Sequence, residues 1–126
     1  FNRSQKHPTS SKEYFSQFCI DNNFDFEILD EVNEESTISS GSFYLVIKQE
    51  DIVKIIHKGR KEKLLLKQDY GLLAYNENPF FEVIDGGISS ISIDFRRMGE
   101  LAAAFVLSGE PIQAYLPTRI TERNSY

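Results

Sequence analysis

The sequence predicts an α/β domain in which helices flank a mostly parallel β-sheet. Residues 42–47 and 70–75 are apolar on both faces, which is typical of central strands in a parallel sheet covered by helices. Apolar stripes at helical spacing alternate with these strands along the chain. A chain of 126 residues with 40% hydrophobic residues can bury a core without a disulfide or a metal, so we expect one α/β lobe over residues 1–126.

The first third of the chain predicts a helix followed by a strand. Residues 1–8 form a polar lead that we expect to be loosely ordered. Residues 10–13 (SSKE) have the pattern of a capping box, and an apolar stripe follows, so a helix is expected over about residues 11–22. Phe24, Phe26 and Ile28 then alternate with acidic residues, which predicts a strand with one solvated face.

The central segment, residues 49–63, has two readings. It could form a hairpin that turns at Lys58 and Gly59. The alternative is a helix, since acidic residues lie at its start and basic residues at its end, an arrangement that complements the helix dipole. The charge pattern favours the helix.

The C-terminal half predicts a further strand, a helix and a last strand. Asp94 is a good N-cap residue, Gly109 a good terminator, and Pro111 blocks continuation, so a helix is expected between them. The other expected elements are a short helical turn over residues 80–84, a turn over 85–87, strands over 88–93 and 112–116, and a tail over 121–126.

Composition argues against several classes of function. A net charge of −5 disfavours direct binding to nucleic acid, because phosphate contacts need clustered basic residues. The single cysteine, Cys19, leaves no internal disulfide and too few ligands for a cysteine-based zinc site, and it suits a reducing cytosol. No apolar run approaches the ~20 residues that cross a bilayer, and no signal peptide is visible. We therefore expect a cytoplasmic protein without a cofactor or membrane partner.

Signals for catalysis are poor. His7 lies in the polar lead, His57 lies near the basic end of the central helix, and neither has obvious partners for general acid–base chemistry. Cys19 lies on an apolar stripe, where a thiol is inert. The sequence contains no nucleophile elbow and no phosphate-binding glycine loop. The expectation is a protein that is not an enzyme and has no catalytic residue.

Binding residues are expected where the buried strands end. In open α/β sheets, ligands bind beyond the carboxyl ends of the strands. Lys48 and Gln49 follow the first buried strand, Asn76 and Glu77 the second, and Asp94 the third. Asp94 and Gln49 could instead cap helices, whereas Asn76 has no clear helix to cap and is the strongest candidate. Residues 25–35 are acidic without a base, which indicates either a solvated face or an electronegative binding face.

The second half of the chain resembles LacI/GalR-type regulators. Residues 88–99 (ISSISIDFRRMG), followed by two alanines, are similar to the family's "TT-I/V…DF…MG..A" stretch. Residues 116–125 resemble its closing "P..L/I-I..R-x-S". Residues 70–77 resemble its "I-S-V/I-I-G-F/Y-D-D/N" strand, and residues 43–51 its "A-x-x-V-x-N-D" strand. The succession covers about residues 10–125, and the form of residues 75–79 looks most like regulators with a GntR-type DNA-binding head.

The resemblance implies the C-terminal lobe of a periplasmic-binding-protein-like sensor. Such a sensor is a homodimer that binds a small effector, commonly a sugar, between two lobes, and contacts DNA through a domain absent from this chain. Asn76 stands where the family has a ligand-binding Asp, and Lys48 and Gln49 stand at its Asn-Asp. Ser11 falls near the family's cleft Arg, and Ile93 replaces a polar residue.

Three alternatives remain open. A transport-type binding protein of the same fold would carry an export signal upstream of Phe1. An enzyme would use His57. A non-catalytic inhibitor or adaptor would bind a basic protein through the acidic residues 25–35.

Overall fold

A computed structural model describes residues 9–126, so the predicted lead and His7 lie outside the described residues. The elements follow in the order helix, strand, helix, strand, short 3₁₀ turn, strand, helix, strand. They are α1 (Thr9–Asp21), β1 (Phe43–Val46), α2 (Gln49–Lys61), β2 (Gly71–Tyr75), the 3₁₀ turn Pro79–Glu82, β3 (Ser89–Ile93), α3 (Phe95–Ser108) and β4 (Thr118–Thr121).

The four strands form one sheet in the order β1-β2-β3-β4. β1, β2 and β3 are parallel, and β4 is antiparallel to β3. The predicted α/β class and the mostly parallel sheet are therefore confirmed. Parallel neighbours need a crossover, and α2 supplies the one between β1 and β2.

The core lies on one side of this sheet, which we call the covered face. α2 buries Ile52, Ile55 and Ile56 against it, and the 3₁₀ turn adds Phe81. The strands complete the core. Val46 of β1 lies opposite Ala74 of β2, so both side chains point to the covered face. The buried strand residues on this face are Val46, Leu72 and Ala74, and Ile88 precedes β3.

α2 and α3 form as their end signals predict. The hairpin alternative for residues 49–63 is wrong, because Gln49–Lys61 is a continuous helix with Glu50 and Asp51 in its first turn. At α3, the Asp94 carboxylate accepts a hydrogen bond from the Arg97 backbone amide at 2.9 Å. Gly109 ends α3 with φ +70°, a left-handed conformation that glycine adopts at no steric cost.

The predicted strand over residues 24–28 is wrong. This segment has no regular structure and folds back on α1, where the Phe24 amide donates to the Cys19 carbonyl at 2.9 Å. The ring centroids of Phe15 and Phe26 lie 6.0 Å apart, edge to face. The alternating aromatic side chains therefore pack against a helix instead of extending the sheet.

The predicted strand over residues 112–116 is also wrong, and the last strand lies later, at Thr118–Thr121. Residues 112–116 lie between Pro111 and Pro117, and a proline cannot donate to a strand ladder. Pairing begins only after the second proline, with Thr118 opposite Ile93. The residues that follow β4 return to the sheet, and Ser125 is fully buried.

The second side of the sheet, which we call the open face, carries no helix in extensive contact. Side chains alternate across a strand, so residues that do not point into the core point to this face. Neither α1 nor α3 packs extensively on the sheet, and α3 has no buried residue. The apolar residues of the open face are Phe43, Leu45, Leu73, Tyr75, Ile91, Ile93 and Ile120.

Candidate functional site

The carboxyl ends of the three parallel strands meet at one edge of the sheet. This arrangement brings four of the predicted binding residues to that edge: Lys48 after β1, Asn76 and Glu77 after β2, and Asp94 after β3. Gln49 is the exposed first residue of α2 beside Lys48. Ser11 is exposed on α1, and no extensive contact joins α1 to this edge.

Lys48 takes the N-cap position of α2 through its backbone alone. Its ammonium nitrogen lies 3.9 Å from the carboxylate of Glu31, and its side chain is mostly buried. The side chain of Gln49 does not cap α2, contrary to one of the two roles considered for it. The end of β1 therefore presents one cation and one exposed amide.

Asn76 has a backbone conformation that few residues adopt. Its φ is +70°, in the left-handed region where asparagine is favoured after glycine. Its backbone amide donates a hydrogen bond to the Ile91 carbonyl at 2.8 Å, and this bond joins the end of β2 to β3. The sequence-based reading of Asn76 as a ligand contact thus has a conformational alternative, because this turn itself favours asparagine.

Glu77 turns back across the covered face and pairs with Arg123. Its carboxylate lies 2.7 Å from Nη2 and 3.2 Å from Nη1 of that guanidinium, a bidentate arrangement. The Ser90 hydroxyl donates to the same carboxylate. Arg123 also donates to the Ile88 carbonyl at 2.7 Å. The structure therefore gives Glu77 partners that the sequence did not identify.

These partners set the charge state of Glu77. Desolvation of the partly buried carboxyl by itself raises its pKa. Hydrogen bonds from Arg123 and Ser90, together with the charge of Arg123, outweigh that effect, and the pKa of Glu77 lies below its ordinary value. The hydrogen bond to Glu77 raises the pKa of Arg123.

The Glu77 pair is expected to make stability depend on pH. A carboxyl with a depressed pKa in the folded state stabilises above its unfolded pKa of about 4.3 and loses that contribution as pH falls through the folded value. As the pH falls below about 5, the Glu77→Gln variant should therefore lose less free energy of unfolding than the wild type does. Urea unfolding at several pH values measures this difference. Equal acid dependence in both proteins would contradict the pairing.

A groove of about 330 Å³ opens at the end of β3, next to the start of α3. Asp94 contributes to it, although the side chain also caps α3 and lies 3.8 Å from Nη2 of Arg119. The sequence analysis missed Arg119 and Thr121 because it placed the last strand too early. The groove is lined by Glu77, Ser92, Ile93, Asp94, Phe95, Arg119 and Thr121.

Side chains of α2 form hydrogen bonds with the backbone of the acidic segment, residues 25–35. Lys54 donates to the Val32 carbonyl and Lys58 to the Glu34 carbonyl, both at 2.9 Å. The Val32 amide donates to the Asp51 carboxylate at 3.3 Å. The basic end of α2 thus has a structural use besides complementing the helix dipole.

The other candidates for chemistry lie apart from the groove. His57 is exposed on α2, and Cys19 is buried on α1. Over residues 9–126, no three His, Cys, Asp or Glu residues are grouped so that they could hold a metal ion. None of the helices in that part of the chain has the length and apolar content to span a membrane.

Comparison with known proteins shows similarity in structure only. No family model and no curated protein matches the sequence. A protein proposed to be a transcription regulator, from Staphylococcus saprophyticus subsp. saprophyticus, matches with a TM-score of 0.53 and 16% identity over 67% of this chain. A protein proposed to be a LacI-family transcription repressor, from Corynebacterium glutamicum, matches with a TM-score of 0.52 and 13% identity over 92% of this chain.

The chain spans only part of these two proteins, 32% of the first and 41% of the second. Identities this low establish the fold and leave function to be argued from the site. Both are described as regulators, and neither is described as an enzyme. The chain has the α/β fold of a domain found in LacI-type transcription regulators.

Proposed function

We propose that this chain is the effector-sensing C-terminal lobe of a LacI/GalR-like transcription regulator. It binds a small polar metabolite, of which a sugar is the favoured class, and acts in the cytoplasm as part of a homodimer. DNA is contacted by a domain outside this chain, for which a GntR-type head is our candidate. The effector acts by differential affinity for the DNA-binding and non-binding states.

The observation that carries this proposal is the convergence of polar side chains at the carboxyl edge of a parallel sheet. Open α/β sheets bind ligands at that edge, where loops from neighbouring strands surround a crevice. Here the edge combines Lys48, Asn76 and Asp94 with the groove that continues toward β4. The structural similarity to two proteins described as regulators supports the same reading.

The chemistry of the groove fits a polyhydroxylated ligand. Carboxylate and hydroxyl oxygens from Asp94, Ser92 and Thr121 can accept or donate to ligand hydroxyls. The ring of Phe95 is 48% exposed at the rim and offers an apolar surface on which a sugar ring can stack. Arg119 adds a cation whose side chain is mostly exposed, which suits an acidic or phosphorylated sugar.

Nuclear magnetic resonance on the ¹⁵N-labelled chain tests this proposal. The probes are monosaccharides, sugar acids and sugar phosphates, each added at millimolar concentration because one lobe alone holds half of a cleft. We expect at least one class to shift the amide resonances of Asn76, Asp94 and Phe95. No shift with any class, or shifts confined to α1, would refute the site.

Asn76 offers the sharpest test by substitution. Asn76→Gly preserves the left-handed backbone conformation and removes the side-chain amide. We therefore expect the variant to fold and to lose the ligand-induced resonance shifts. Asn76→Ala removes the amide and strains the turn, and should cost about 1 kcal/mol of stability. Titration of both variants with the active probe separates the two effects. Unchanged binding in Asn76→Gly would assign Asn76 a purely conformational role.

A further inference from the structure

The covered face of the sheet changes character between its two halves. Over β1 and β2 it is apolar and packs against α2. Over β3 and β4 it is polar, because the register places Ser90 opposite Thr121 and Ser92 opposite Arg119. The groove lies on this polar half, and Ser92, Thr121 and Arg119 are among the residues that line it. A sheet face that packs against a helix is apolar, so this half of the face suits a polar ligand instead.

The charges of Glu77 and Arg123 neutralise each other within the chain. The guanidinium of Arg123 donates to both carboxylate oxygens of Glu77 and to the Ile88 carbonyl. The side chain of Arg123 is only 18% exposed, and that of Glu77 is 31% exposed. Glu77 therefore offers the groove a hydrogen-bond acceptor, while the pair as a whole adds little net charge to it.

Arg119 has no comparable partner. Its ion pair within residues 9–126 is with Asp94, whose Oδ2 lies 3.8 Å from Nη2, beyond the range of a direct hydrogen bond. The other carboxylate oxygen of Asp94 accepts from the Arg97 amide at 2.9 Å. The Arg119 side chain is 74% exposed, and such a pair contributes little to stability. Over the described part of the chain its guanidinium donates no hydrogen bond, so its N–H groups remain available to a ligand.

We propose that Arg119 binds an anionic group of the ligand, and that the effector carries a carboxylate or a phosphate. A guanidinium matches two oxygens of either group with a pair of parallel hydrogen bonds. The hydroxyls of Ser92 and Thr121 lie beside Arg119 on the same face and can bond to neutral hydroxyls of the same ligand. This inference rests on the proposed function and narrows its ligand from a polar metabolite to an anionic one.

Three sugars that share one ring and differ in a single substituent test the charge of the ligand. They are glucose, glucuronate and glucose 6-phosphate, which carry a hydroxyl, a carboxylate and a phosphate at the same position. Each is titrated into the ¹⁵N-labelled chain while the amide resonances of Asp94, Phe95 and Thr121 are followed. We expect both anions to bind about tenfold more tightly than glucose, because hydrogen bonds between charged groups are the stronger ones.

Substitutions at Arg119 test the residue itself. Arg119→Gln removes the charge at an exposed position, so the variant should fold, and its affinity for both anions should fall about tenfold or more. Its affinity for glucose should not change. Arg119→Lys keeps the charge without the planar fork and should recover only part of the anion affinity. Arg96→Gln is the matched control, because Arg96 is 91% exposed on α3 and does not line the groove, and it should bind as the wild type does.

The outcomes separate the role of Arg119 from the effector site. Glucose that binds as tightly as the two anions would overturn the inference, and so would unchanged anion affinity in Arg119→Gln. An equal loss of affinity in Arg96→Gln and Arg119→Gln would also overturn it, because it would reflect the net charge of the chain alone. In each of these cases, shifts of the Asn76 and Asp94 resonances by glucose would leave the effector site standing. No shift with any of the three sugars would overturn both.

Discussion

Replacing Gly59 with alanine is expected to lower the free energy of unfolding by about 1–3 kcal/mol, although alanine is the better helix former. Gly59 lies in α2 where the helix meets the ring of Tyr70. A Cβ atom at Gly59 would lie 2.6 Å from the Tyr70 hydroxyl oxygen and 2.8 Å from two ring carbons. The ring cannot move aside easily, because Tyr70 is buried in the core and contacts Tyr44. Urea unfolding followed by circular dichroism measures the change.

Gly99→Ala is the matched control for this experiment. Gly99 lies inside α3, and a Cβ atom there would meet no other atom within 4 Å. The substitution should therefore change stability only through the higher helix propensity of alanine, and raise the free energy of unfolding by about 0.5–1 kcal/mol. Opposite signs for the two variants are the expected result. Stabilisation by Gly59→Ala would contradict the close contact between α2 and Tyr70.

Ser125→Ala is expected to cost about 1–3 kcal/mol, a large effect for the loss of one oxygen atom. The Ser125 hydroxyl donates to the Leu72 carbonyl at 2.6 Å and accepts from the Ser89 amide at 2.8 Å. Since Ser125 is fully buried, alanine leaves both backbone groups without a partner and without water. Urea unfolding of the wild type and of Ser125→Ala at the same pH measures this loss of stability.

Ser40→Ala provides the comparison for Ser125→Ala. Ser40 is exposed in the segment before β1, and its loss should change stability by less than about 0.5 kcal/mol. A cost for Ser125→Ala within that same range would show that the hydroxyl is dispensable. A larger cost for Ser125→Ala would show that its hydroxyl stabilises the ends of β2 and β3.

The elements that the sequence predicted well are those whose side chains follow one period from end to end. α2 and α3 have apolar stripes with charges or caps at their ends, and β2 is apolar on both faces, as expected of a strand that lies between two parallel neighbours. Residues 24–28 have the period of two expected of a strand, but that period arises from aromatic residues that pack on α1. Periodicity identifies a buried side but does not identify the element that buries it.

The candidate site was predictable only in part. Parallel strands bring their carboxyl ends together in any such sheet, so Asn76, Glu77 and Asp94 could be found from strand order alone. Arg119 and Thr121 depend on the register of an antiparallel strand, which follows two prolines and has no alternation to identify it. The pairing of Glu77 with Arg123 joins residues 46 apart in sequence, and no local pattern reports such a contact.

The burial of Ser125 also constrains the order in which this chain can fold during synthesis. β2 obtains a backbone partner for Leu72 from a residue made 53 positions later. Until Ser125 has left the ribosome, the start of β2 remains an unpaired strand end beside an exposed apolar surface. The last step in forming the native sheet is therefore a contact of high sequence separation, which forms slowly and leaves the start of β2 open to aggregation until it is made.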